Sequence, residues 1–171
     1  ERFQSCFKSK MIVANSSPIL ILAKQGMLDL LKKCFKKVVI PESIYDEVVQ
    51  KSNTPEAIAL QKAVKEQWIL VQKAAAMAEL ETKNIGRGEK EAISLAYDHK
   101  SILIIDDDSA KKYASIFGVE AHGTFYVIYL ACARKLIDKT SAKNVLEGMI
   151  ADGFYISSEF YLKFINLLDT L

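Results

Sequence analysis

Short apolar runs alternate along the chain with stretches whose hydrophobic residues recur every three or four positions. Residues 11–14 form such a run and stop at Asn15-Ser16-Ser17-Pro18. Proline is well tolerated in a first helical turn, so this strand feeds a helix to about Lys24, broken by Gly26. Leu28, Leu30, Leu31, Cys34 and Phe35 have helical spacing. Residues 38–40 read as a second strand, with a helix from Pro41 to about Val49. A polar loop over 51–54 precedes a helix from Pro55 to Glu66, and 68–71 is a third strand. The stretch 73–87, Ala-rich and then polar, predicts a helix and a loop. A helix opens at Gly88 and runs through Tyr97. Residues 102–105 are the strongest strand, four apolar residues in a row, suited to a sheet covered on both faces. A helix over 109–117 stops at Gly118, 119–121 is a fifth strand, and helices follow at about 124–134, 141–151 and 158 onward.

Five strands alternating with helices predict a parallel sheet between helical layers, a three-layer α/β/α fold. The 171 residues, half of them hydrophobic and with only 7 Gly and 3 Pro, exclude a disordered or collagen-like chain. Residues 11–171 read as one domain, with C-terminal helices from about 137. Residues 1–10 (ERFQSCFKSK) have no apolar core of signal-peptide length and read as an upstream extension or leader. No run approaches the roughly 18–20 apolar residues of a membrane span. A net charge of +2 does not by itself announce a nucleic-acid binder. Cys6, Cys34 and Cys132 are far apart and odd in number, which argues for reduced thiols in a cytoplasmic protein. His99 and His122 have no partner at zinc-ligand spacing.

Acids stand where an open parallel sheet binds ligands, beyond the carboxyl ends of its strands. The fourth strand ends in Asp106-Asp107-Asp108. Capping of the next helix by Asp107 or Asp108 accounts for one of the three; three adjacent carboxylates need water, a base or a metal to offset their repulsion. Glu89 and Glu91 fall in the first turn of one helix, where the helix dipole favours acids. Glu89 shares a face with Ala92, Ile93 and Ala96, which directs it along the buried edge, whereas Glu91 aligns with Leu95 and Asp98, toward solvent. Asp46 and Glu47 flank the stripe Ile44, Tyr45, Val48 and Val49 on opposite sides, and periodicity does not choose between them. There is no G-x-x-x-x-G-K, G-x-G-x-x-G or G-x-S-x-G motif. A carboxylate site for a hard dication is therefore the best chemical candidate.

The stretches IVANSSPI (12–19), VIPESIYDEV (39–48), GRGEKEAI (86–93), LIIDD (103–107) and Gly123-Thr124 together resemble the PIN domain, and most of all a prokaryotic PIN-like subgroup. The resemblance spans Met11 to about Leu136. It implies a five-stranded parallel sheet with an acidic pocket at its carboxyl edge, and a divalent-metal-dependent endoribonuclease of the toxin–antitoxin toxin type using Mg²⁺ or Mn²⁺. By position, the catalytic and metal-binding residues would be Asn15, Glu47, Glu89 and Asp107, which breaks the Asp46/Glu47 tie. Asn15 stands where the family has its first aspartate; it offers a carbonyl oxygen but no charge, and Asp106 or Glu91 would have to compensate. Ser17 would orient a ligand or water. Arg87, Lys111 and Lys112 would meet the RNA backbone. The family also implies a homodimer and an antitoxin partner. The alternative is an RNA- or protein-binding module of the same fold, its chemistry disabled by Asn15. A receiver-like phosphoacceptor fits poorly, because its acid pair belongs after the first strand. The aromatic group Phe154, Tyr155, Phe160, Tyr161 and Phe164 is either a lid on the core or an interface.

Overall fold

The computed structural model describes residues 11–50 and 53–171; the extension 1–10 and part of the loop at 51–54 lie outside the described residues. The chain runs β1 (Met11–Ala14), α1 (Ser16–Lys24), α2 (Asp29–Phe35), β2 (Lys37–Pro41), α3 (Glu42–Val49), α4 (Pro55–Lys65), β3 (Ile69–Gln72) and α5 (Ala78–Glu81). It continues with α6 (Arg87–His99), β4 (Leu103–Ile104), α7 (Asp108–Ile116), β5 (Ala121–His122), α8 (Thr124–Ala133), α9 (Lys139–Ala151) and α10 (Ser158–Asp169). The five strands form one all-parallel sheet in the order β3-β2-β1-β4-β5. Ile12 pairs with Val38 on one side of β1, and Ala14 with Ile104 on the other.

The chain therefore builds outward from β1 in one direction, then returns across the sheet to lay β4 against its other side. Right-handed crossovers, the rule for parallel connections, place α1 to α4 on one face and α6 and α7 on the other, where those two pack together. Residues buried on both faces carry no alternation, which is why β1 and β4 read as continuous apolar runs: Ile12, Val13, Ala14, Leu103, Ile104 and Ile105 are wholly buried. One core surrounds the sheet. A second joins Ile128 and Cys132 of α8 to Val145, Leu146 and Met149 of α9 and Phe164 and Leu168 of α10. Phe125 meets Phe154, Phe160 and Phe164 edge-on at centroid distances of 5.7, 4.8 and 5.3 Å. These rings are the lid on the second core, while Tyr155 stands in solvent.

One expectation shifts. The fifth strand is Ala121–His122 rather than 119–121, because Val119 is used to end α7: Gly118 takes φ +71°, and the Val119 amide donates to the Ala114 carbonyl at 2.9 Å. Between 73 and 87 the only helix is the single turn of α5, pinned by buried Leu80. The free thiols of Cys34 and Cys132 are buried, on α2 and α8. No helix among the described residues is long and apolar enough to cross a membrane.

Candidate active site

The carboxyl edge of the sheet divides into two unlike halves. Over β1, β4 and β5 it is closed by a polar knot. Asp106, at the end of β4, accepts from Ser17 Oγ (2.9 Å), the Thr124 amide (2.7 Å) and Thr124 Oγ1 (2.8 Å). The last two lie at the N-terminus of α8, where backbone donors are unpaired and the helix dipole favours an anion. Asp106 is thus a fastening between α1, β4 and α8. Ser17 serves the same fastening.

Over β1, β2 and β3 the edge opens into a cavity of about 580 Å³. Asn15 comes from the end of β1, Glu42, Ser43, Asp46 and Glu47 from α3, Lys73 from the loop after β3, and Arg87, Glu89 and Glu91 from the first turn and a half of α6. A slightly larger hollow, about 610 Å³, opens at the opposite, amino edge between the ends of α6 and α7, with only Asp98 and Glu120 as acids. The concentration of carboxylates marks the carboxyl-edge cavity as the candidate site.

Asn15 is 5% exposed, and its side chain makes no hydrogen bond with any described residue. Its polar atoms are not sealed off, the one buried and unpartnered side-chain oxygen among the described residues being Ser101 Oγ, so water or a ligand in the cavity can satisfy them. Its placement follows from pairing: the Asn15 amide donates to the Ile104 carbonyl at 2.9 Å, which holds the residue at the junction of β1 and β4. Glu47 is exposed at the cavity wall. Glu89 lines the cavity too, but one of its oxygens, Oε2, accepts from the Gly86 amide at 2.7 Å and closes the start of α6.

The face assigned to Glu91 is corrected. Glu91 is the buried acid, 4% exposed, and Glu89 the more open one. Residues 91–96 are buried without a break, because α6 packs on the sheet with one side and on α3 with the next. A helical face drawn for a single packing surface misses the second. Glu91 accepts from Ser43 Oγ of α3 in a short hydrogen bond, and from Arg87 Nε at 2.7 Å. The Arg87–Glu91 spacing of four residues was the signal in the sequence that could have found it. The Glu91 hydrogen bond, then its charge, then the charges of Asp46 and Glu42 raise the Arg87 pKa above its ordinary value.

Asp107 lies outside this lining. It caps α7, its Oδ1 accepting from the Ala110 amide at 2.7 Å. Lys111 Nζ is 3.4 Å from Asp108, and Lys112 is exposed. His99 bonds Gln72 and His122 bonds Glu120, each at 2.8 Å. The hard oxygen donors of the cavity suit a dication in kind. Their arrangement does not yet assemble one: among the described residues no three Asp, Glu, His or Cys side chains are grouped to hold a metal. Two of the acids are engaged, Glu91 by Arg87 and Ser43, and Glu89 by Gly86.

A five-stranded parallel sheet with an acidic cavity at its carboxyl edge defines an α/β protein with a carboxylate site. The chain matches the family model DUF3368, described as a PIN domain, over residues 11–170. It belongs to the PIN-domain family, whose members are generally nucleases and typically use divalent metals. Among solved structures it is similar to a PilT N-terminus domain protein, SSO1118, from the hyperthermophilic archaeon Sulfolobus solfataricus P2. That likeness has a TM-score of 0.52 at 18% identity, over 68% of this chain and 89% of that one. It is also similar to a domain of a functionally unknown protein from Methanocaldococcus jannaschii DSM 2661, with a TM-score of 0.45 at 19% identity over 67% and 91%. No curated protein matches the chain.

Proposed function

We propose that the chain is a divalent-metal-dependent endoribonuclease acting at the cavity between β1, α3 and α6. The observation that carries this reading is a cavity at the carboxyl edge lined by Asn15, Glu47, Glu89 and Glu91, with the Asn15 side chain free of protein hydrogen bonds, in a chain of the PIN family. Asn15, Glu47, Glu89 and Glu91 are the residues that would hold Mg²⁺ or Mn²⁺, while Asp107 stays outside the lining as the cap of α7. A bound dication supplies neutralisation of phosphate charge and activation of a water. Ser43 fixes the Glu91 carboxylate. Arg87, Lys111 and Lys112 offer positive charge for an RNA backbone, which positions substrate without reading its sequence. Ser17 acts only by holding Asp106. The same reading makes the chain a candidate toxin of a toxin–antitoxin pair, working as a homodimer; an antitoxin gene beside its own is the observation that would support that role.

The test is cleavage of single-stranded RNA with Mn²⁺ or Mg²⁺ against an EDTA control. Metal-dependent cleavage that falls at least about 100-fold in E47Q and E91Q is expected. Cleavage indifferent to EDTA, or unchanged in both variants, overturns the assignment. The second reading, a binding module without chemistry, is favoured by the charge missing at Asn15. It predicts no Mn²⁺ uptake in calorimetric titration of the unaltered chain, and cleavage restored in Asn15→Asp would show what the amide costs.

A further inference from the structure

We propose that Arg87 is a tethered counter-cation of the acidic cavity, seated on Glu91 until a divalent ion displaces it. The inference rests on the cation-binding reading of this cavity and concerns what governs its filling.

Both oxygens of Glu91 are taken, one by Ser43 Oγ and one by Arg87 Nε at 2.7 Å. An incoming ion reaches a full carboxylate oxygen only by removing one of these donors. The two differ in how easily they leave. Ser43 is part-buried and fixed on α3, whereas the Arg87 side chain is 82% exposed above a Glu91 that is 5% exposed. The guanidinium therefore reaches in from solvent and can swing back to it with little desolvation.

Helix energetics do not explain the pair. Arg87 is the first residue of α6, where the helix dipole disfavours a cation. A base N-terminal to an acid at four-residue spacing is also the weaker order for such a pair. The cavity accounts for it. Glu42, Asp46, Glu47, Glu89 and Glu91 line the walls against only Arg87 and Lys73, and the field of Asp46 and Glu42 also acts on Arg87. The side chain answers an excess of negative charge that α6 itself did not create. The Asn15 side chain in the same wall, 5% exposed and without a protein hydrogen bond, leaves its carbonyl oxygen open to a ligand in the cavity besides Arg87. Displacement would leave the guanidinium at the mouth, where an anionic backbone arrives. Metal filling and phosphate capture would then be coupled through one side chain.

The test uses the full chain with Mg²⁺ and Mn²⁺. In the unaltered protein, NMR of the arginine Nε–H groups during Mg²⁺ titration should show the Arg87 signal shifting in step with ion binding. Mn²⁺ binding followed by electron paramagnetic resonance should be about tenfold tighter in R87Q, the equivalent of one charged hydrogen bond no longer to be broken, and close to wild type in R87K. Circular dichroism checks that the variants are folded, and the wild-type NMR titration stands even if they are not. Mg²⁺ saturation that leaves the Arg87 signal unmoved, or R87Q binding no tighter than wild type, overturns the tether and leaves the metal reading standing. Absence of binding by every form at millimolar ion overturns both.

Discussion

Asp106→Ala separates the acid that holds the fold from the acids that line the cavity. The substitution removes the acceptor of three hydrogen bonds. Thr124 is wholly buried, so its amide and hydroxyl are left without water or protein partner. Each such buried donor costs about 1–3 kcal/mol. Ser17 is half-buried and can turn to solvent at smaller cost. Together with the lost charge at the start of α8, worth about 0.3–1 kcal/mol, the sum is about 2–7 kcal/mol. At roughly 2–4 °C per kcal/mol for a chain of this size, Tm should fall by about 10 °C. Asp106→Asn keeps an acceptor for the Thr124 amide, and the two hydroxyls can rotate to accept from its NH₂, so it should cost about 1–2 kcal/mol. Urea unfolding with an unchanged m-value is the assay, since a shift in midpoint alone reports stability. Glu47→Ala, at an exposed position with no described partner, should stay within about 0.5 kcal/mol of wild type. If Asp106→Ala lands within 1 kcal/mol of wild type, or Glu47→Ala costs as much, the division of the sheet edge into fastening and cavity is wrong.

Gly123→Ala should strike the same knot from another side, because a Cβ there would stand 2.9 Å from Asp106 Oδ1; about 1–3 kcal/mol of destabilisation in urea is expected, and none would mean that the knot is slack. Glu47→Gln should keep the melting temperature while abolishing metal-dependent RNA cleavage, measured on one preparation. Burial pushes the Cys34 thiol up to about 11, against a partial pull down from Arg134 and Lys33. The unfolded chain thus loses that proton near pH 9 while the folded chain keeps it, so stability should decline from about pH 9 to 11 by about 1 kcal/mol per pH unit. The difference between wild type and Cys34→Ala in melts across that range isolates the effect, and parallel curves would contradict it.

What could be read from residue order followed from how many surfaces each element meets. β1 and β4 announce themselves because both faces of a parallel strand are covered and every residue is apolar. Asn15, Glu47 and Glu89 line one cavity, whereas Asp107, the fourth residue the resemblance implies, lies outside it as a helix cap. Glu91 was assigned to solvent because a helix that touches both a sheet and α3 has two buried arcs, and the second is marked only by a polar pair. The role of Asp106 was out of reach for another reason. Its partners are 89 and 18 residues away, and only the strand order brings them together. The two-residue β5 has no period to detect, and the end of α7 decides where it begins.

Helix α8 has apolar residues on every side, with Val127, Leu130 and Ala131 in the sheet core and Ile128 and Cys132 in the C-terminal one. A helix without a wet face cannot be the outer wall of anything. The two helices after it are therefore weatherproofing for the sheet domain rather than an accessory. A chain cut after α8 would present a greasy ridge and be driven to aggregate. Conversely, slow hydrogen exchange in α8 should persist only as long as α9 and α10 stay docked, which ties the durability of the α8 end of the Asp106 knot to residues far down the chain.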